Sequence, residues 1–101
     1  MRKMGLLRTG VILGVVIAFG GASAAYAASE SVGGGTWQYG LQGKKPGGIT
    51  YSNYYNGSKS HGSSAKSGKG LNRSPMVGKG KWSYAAIEST LTGNQAYWRN
   101  E

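Results

Sequence analysis

The chain has 101 residues, no cysteine, twelve Lys and Arg against three acidic residues, and a formal net charge of +9. That length supports one small domain, and the missing cysteines exclude the disulfide frameworks on which short exported chains commonly depend. One histidine and three carboxylates give no metal-ligand spacing and no nucleophile motif, so neither a metal, a cofactor nor enzymatic activity is expected.

The amino terminus reads as an export signal. Arg2, Lys3 and Arg8 form a basic start, Val11 to Phe19 is an apolar run, and Ala25-Tyr26-Ala27 puts small residues at the two positions a signal peptidase reads. Cleavage is expected between Ala27 and Ala28, giving a signal peptide over 1–27 and a secreted mature domain over 28–101. An uncleaved membrane anchor is the competing reading; the strongly apolar part is short for a span, and small residues follow it. In both cases the rest of the chain ends outside the cytoplasm, because the basic residues stay inside.

The mature segment is thinly aliphatic. Leu, Ile, Val and Met contribute only Val32, Leu41, Ile49, Leu71, Met76, Val77, Ile87 and Leu91, and low aliphatic content with net positive charge is ordinarily a signature of disorder. Trp37, Tyr39, Tyr51, Tyr54, Tyr55, Trp82, Tyr84, Tyr97 and Trp98 offset this, since each ring buries roughly 150–250 Å². A core of that kind leaves a monomer marginal, so self-association is expected.

In chain order, residues 28–34 read as a loose amino terminus. In Gly35-Thr36-Trp37-Gln38-Tyr39-Gly40 the two aromatics stand two apart and share one face of a strand. The spacing recurs at Gly80-Lys81-Trp82-Ser83-Tyr84-Ala85, which a shared demand for an aromatic strand face explains as well as a duplication does. Leu41 to Gly48 is a turn by its proline and glycines. Asn56-Gly57 is a two-residue hairpin signal. Taken literally, it sets Tyr55 opposite Ser58, Tyr54 opposite Lys59, Ser52 opposite His61 and Tyr51 opposite Gly62. One face then carries Ile49, Tyr51, Asn53 and Tyr55 toward a core; the other presents Thr50, Ser52, Tyr54, Lys59 and His61 to solvent. A slip of one residue exchanges the faces.

Lys66 to Lys81, rich in Gly and Lys, reads as a flexible basic loop with a short strand at Pro75 to Val77. Trp82 to Ile87 reads as a strand, Thr92 to Asn94 as a turn, and Gln95 to Arg99 as a closing strand. Five or six short strands and no convincing helix predict an all-β fold, a small antiparallel sandwich or barrel.

Export and the absence of a recognisable motif argue against nucleic acid as the partner. After Ala28 no amphipathic helix or long apolar segment provides for pore formation. Basic charge on an exported chain favours an anionic envelope component such as phospholipid headgroups, wall polymers or pyrophosphate-linked precursors. Lys66, Lys69, Lys79 and Lys81 serve either that purpose or the solubility of a Gly-rich loop.

An exported leader followed by Gly35-Thr36-Trp37-Gln38, Tyr51-Ser52-Asn53-Tyr54, Gly57-Ser58-Lys59-Ser60-His61, a Gly/Lys-rich middle and an aromatic tail resembles the lactococcin 972 family of bacteriocins. The resemblance spans nearly the whole mature segment; Ala65 to Gly80 matches only in character. It implies a β-sandwich of two three-stranded antiparallel sheets, found as a homodimer. It also implies killing of related Gram-positive bacteria by binding lipid II and blocking septum formation without pores, with dedicated immunity and transport membrane proteins. This chain departs from the pattern in ending Arg99-Asn100-Glu101 after its last aromatic.

The family supplies no binding map. The candidates for target binding come from the expected polar hairpin face: Tyr54 and His61 as hydrogen-bonding groups and Lys59 as a charge partner for pyrophosphate. Trp37 and Trp82 are expected in the core, with stacking on sugar faces as the alternative. The competing function is a non-lethal secreted wall-binding protein for signalling or adhesion.

Overall fold

The computed structural model describes residues 12–16, as backbone, and residues 26–101. The strands are β1 (Ile12–Val16), β2 (Tyr26–Val32), β3 (Gly35–Gln42), β4 (Ile49–Asn56), β5 (His61–Ser67), β6 (Gly70–Arg73), β7 (Lys81–Glu88) and β8 (Gln95–Asn100). They form two antiparallel sheets, ordered β2-β3-β4-β7 and β1-β8-β5-β6, and no helix occurs among the described residues. Residues 26–101 alone supply seven strands, four in one sheet and three in the other.

The all-β antiparallel sandwich is therefore the architecture that the sequence predicts, with one strand more than the two three-stranded sheets expected. That strand is β2, where 28–34 reads as a loose terminus. It pairs along its whole length with β3, from Tyr26 opposite Leu41 to Val32 opposite Gly35. Gly33 and Gly34 make the turn with φ of 60° and 84°, the positive pair that suits a tight hairpin. The expected cleavage point between Ala27 and Ala28 falls inside β2; apart from β1, Tyr26 and Ala27, the leader expected over 1–27 lies outside the described residues.

The expected hairpin at Asn56-Gly57 is not formed. β4 pairs with β3 and β7, whereas β5 pairs with β8 and β6, so this turn carries the chain from one sheet to the other. The Asn56 side chain explains the difference. Its Oδ1 accepts from the backbone N–H groups of Ser58 at 2.8 Å and Lys59 at 3.1 Å. Its Nδ2 donates to the Gly33 carbonyl at 3.1 Å and to Asn100 Oδ1 at 3.2 Å. A buried Asn bonding its own following backbone makes an Asx turn, which a two-residue hairpin does not need. The faces of β4 are exchanged accordingly: Thr50, Ser52, Tyr54 and Asn56 point inward, and Ile49, Tyr51, Asn53 and Tyr55 outward.

The segment read as a flexible basic loop at 66–81 also carries structure. β5 continues to Ser67 and turns into β6. Beyond it, Val77 bridges His61 through N–H···O bonds of 2.8 and 3.0 Å, which places one residue of the short strand expected at Pro75 to Val77.

Trp37, Tyr39, Leu41, Tyr54, Ala96 and Trp98 form the core, with Ala28 and Val32 packed against it. The Trp37 and Tyr39 rings lie 3.9 Å apart and Tyr54 and Trp98 5.2 Å apart. Around these rings the interior is lined with hydroxyl groups. Trp37 Nε1 donates to Ser52 Oγ at 2.9 Å, and Ser52 Oγ donates to the Tyr97 carbonyl at 2.7 Å. Ser83 Oγ donates to the Tyr54 carbonyl at 3.1 Å and lies 3.0 Å from Ser63 Oγ, joining the two sheets. Small hydroxyl-bearing residues let the sheets approach while their buried hydroxyls find partners.

Candidate functional site

Of the three residues expected to meet a target, the structure exposes only Lys59. Tyr54 and His61 are both wholly buried, which corrects their assignment to a solvent-facing polar surface: the exchange of faces on β4 turns Tyr54 inward, and His61 opens β5 in the facing sheet instead of pairing with β4. They nevertheless meet, their rings 5.5 Å apart at an interplanar angle of 87°, the edge-to-face geometry aromatic rings favour. Tyr54 Oη donates to the Val32 carbonyl at 2.8 Å. His61 Nδ1 lies 2.7 Å from the Lys59 carbonyl oxygen, and Nε2 lies 2.6 Å from that of Lys81. Both partners are carbonyl acceptors, so whichever ring nitrogen carries the proton finds one to donate to.

His61 thereby ties two lysine-bearing segments to one point. Lys59 stands in the turn after β4 and Lys81 opens β7 opposite Asn56, while Gly80 N–H donates to the Asn56 carbonyl at 2.8 Å. Lys59, Lys79 and Lys81 are all exposed at this end of the four-stranded sheet, so their positive charges reinforce one another toward solvent.

The outer face of the same sheet begins at that basic end. Strand register sets Tyr55 between Thr36 and Trp82, Asn53 between Gln38 and Tyr84, and Tyr51 between Gly40 and Ala86. Tyr84 is 66% exposed, and Tyr51, Tyr55 and Trp82 are half-buried. Tyr55 and Trp82 have ring centroids 5.5 Å apart; Trp82 and Tyr84, 6.5 Å apart, are inclined by only 23°. Beside Tyr51 a depression of about 320 Å³ is lined by Ala27, Ala28, Ser29, Gln38 and Tyr51. Rings with apolar faces next to the amides of Gln38 and Asn53 offer both a stacking surface and hydrogen-bonding groups, the combination a pyranose requires for its C–H face and its hydroxyl rim.

Trp82 thus lies on this outer face, whereas Trp37 lies in the core. Tyr51, Tyr55 and Tyr84 were missed as surface residues. The period-two pattern placed Tyr51 and Tyr55 together correctly, but only the partner strands decide which face is covered. Among the described residues no group of three or more His, Cys, Asp or Glu converges as metal ligands would.

A family model described as Bacteriocin (Lactococcin 972) matches residues 33–98. The match begins at the β2–β3 turn and ends at Trp98, so it includes the aromatic rings of this face and all three lysines of its basic end. Neither the curated proteins nor the solved structures contain a match to this chain.

Proposed function

The chain belongs to the lactococcin 972 family of bacteriocins, and from that premise we propose that it is a secreted antibacterial peptide that binds lipid II and blocks septum formation in related Gram-positive bacteria without opening pores. The observation that carries this reading is the continuity of the outward-facing Tyr55, Trp82 and Tyr84 rings with the exposed Lys59, Lys79 and Lys81 at one end of a single sheet. Lipid II joins amino sugars to a pyrophosphate. Rings supply stacking surface for the sugars, and ammonium groups supply charge for the anion. Lys59 keeps the role of pyrophosphate partner; Tyr54 and His61 act behind it by holding the turn. The reading includes export by cleavage between Ala27 and Ala28, a homodimer, and dedicated immunity and transport membrane proteins.

The test adds the purified protein to growing Gram-positive cells, with and without excess soluble lipid II, and follows growth, septation and dye leakage together. Arrest without leakage, relieved by lipid II, is the expected result. Leakage would replace this reading with membrane attack, and binding to cell walls without arrest would favour a non-lethal wall-binding protein.

A further inference from the structure

The outer face of the other sheet carries a second concentration of positive charge. A cavity of about 190 Å³ is lined by Ser64, Lys66, Leu71, Arg73 and Tyr97. Strand register produces it: Arg73 on β6 and Tyr97 on β8 flank Ser64 on β5, and Leu71 lies opposite Lys66. Behind Ser64 lies the buried guanidinium of Arg99. Its Nη1 donates to Ser64 Oγ at 3.2 Å and to the Ser63 carbonyl at 3.1 Å, and its Nη2 donates to the Ser74 carbonyl at 2.6 Å.

None of those three acceptors carries a charge. Of the acidic side chains, Glu30 accepts from Tyr39 and Glu88 lies 3.8 Å from Lys69, while Glu101 follows β8 at the opposite end from Lys66. Burial, and then the proximity of Arg73, lower the Arg99 pKa below its ordinary value. Lys66 and Arg73 line one cavity with Ser64, and two cations so placed, without an anion among these contacts, favour binding one from solution.

We infer that this cavity binds a phosphate group, held by the Arg73 guanidinium and the Lys66 ammonium over the Ser64 floor. A planar guanidinium matches two phosphate oxygens at once and an ammonium adds a point charge, which together select phosphate over a carboxylate of single charge. The site lies on the opposite sheet from the aromatic face and is independent of the lipid II reading.

The test is an amide-resolved NMR titration of the purified protein with inorganic phosphate and pyrophosphate at two salt concentrations. Saturable shifts are expected at Ser64, Lys66, Arg73 and Tyr97, with affinity falling as salt rises. The double variant Lys66→Gln, Arg73→Gln removes two exposed groups and leaves the Arg99 hydrogen bonds in place; it should weaken binding by about tenfold or more. Lys44→Ala, an exposed lysine outside both basic regions, should leave that affinity unchanged. Shifts spread evenly over all lysine-bearing segments, or equal affinity in the Lys66/Arg73 variant, would overturn the assignment. A parallel arm with phosphatidylglycerol vesicles identifies the source: binding lost in the same variant assigns a lipid headgroup, and phosphate binding without vesicle binding assigns a soluble phosphate.

Discussion

His61 Nε2 stands 2.6 Å from the carbonyl oxygen of Lys81, twenty residues away in sequence, while its other ring nitrogen holds Lys59. The imidazole thus fastens the crossover turn to the start of β7 and fixes the spacing of two surface cations from beneath. Replacing it with His61→Phe keeps a ring against Tyr54 and removes the polar contacts of both ring nitrogens. We expect a loss of roughly 1–3 kcal/mol in urea unfolding, together with weaker target binding although the residue touches no solvent. An unchanged unfolding midpoint would show that neither contact matters.

Trp82 tests the aromatic face separately from the fold. It is half-buried on the outer side of β7, whereas Trp37 and Trp98 are in the core, so Trp82→Ala should cost about 1 kcal/mol or less in stability. If Tyr55, Trp82 and Tyr84 stack on sugar, affinity for lipid II should fall about tenfold or more in this variant. Lys59→Ala should lower affinity and its salt dependence together, with stability unaffected. Calorimetric titration of both variants decides between a binding face and a merely solvated one.

Much of the architecture was legible because period two is hard to mistake: the Trp37/Tyr39 and Trp82/Tyr84 pairs each share a face, and the turns before Ile49 and Gln95 lie where Gly, Pro and Asn place them. What alternation does not contain is which face meets the other sheet. In β4 both faces bear tyrosine, and the choice rests on partners distant in sequence: Tyr54 bonds Val32, and Asn56 bonds Gly33 and Asn100. The Asn-Gly signal predicts a local turn, whereas Asn56 is committed to these contacts. That one difference in pairing puts Tyr54 and His61 in the interior and not on the surface that a local hairpin implies. The polar tail was equally opaque, since Arg99 and Asn100 after the last aromatic are buried and hydrogen-bonded; Asn100 Nδ2 donates to the Gly33 carbonyl at 2.7 Å.

Gly62 is small because Arg99 lies across it. A Cβ added at this position would stand 2.5 Å from Arg99 Nη2 and 2.6 Å from Cζ. The guanidinium is tied to Ser63, Ser64 and Ser74, so Gly62→Ala must break charged hydrogen bonds to make room. A loss of roughly 2–4 kcal/mol is expected, measurable as a shift of the denaturation midpoint. Phosphate binding at the Lys66/Arg73 cavity should weaken as well, because Ser64 loses its Arg99 donor.

Alkaline stability should depend on Tyr39. Burial, followed by its hydrogen bond to Glu30, raises the Tyr39 pKa far above the ordinary tyrosine value of 10.0. Below that value both native and unfolded chains keep the proton, and the full stability is present. As pH rises past it, the unfolded chain releases its proton while the native one does not, so unfolding becomes progressively more favourable. The unfolding midpoint of the native sequence should drop between about pH 9 and pH 11. Tyr39→Phe should drop less over the same interval; parallel curves would remove Tyr39 as the cause.

The homodimer in the proposed reading requires a surface, and the edge of β8 is the one that the proposed removal of the leader would uncover. β1 pairs with β8 from Ile12 opposite Asn100 to Val16 opposite Ala96, so the proposed cleavage between Ala27 and Ala28 would take away a complete partner strand. The backbone groups left on β8 favour a new strand, and a second copy of β8 in antiparallel orientation offers one. Sedimentation of the two forms should therefore give a monomer for the chain that keeps its leader and a concentration-dependent dimer for residues 28–101. A dimer in both forms would place the contact elsewhere, and a monomer in both would remove the homodimer from the mechanism.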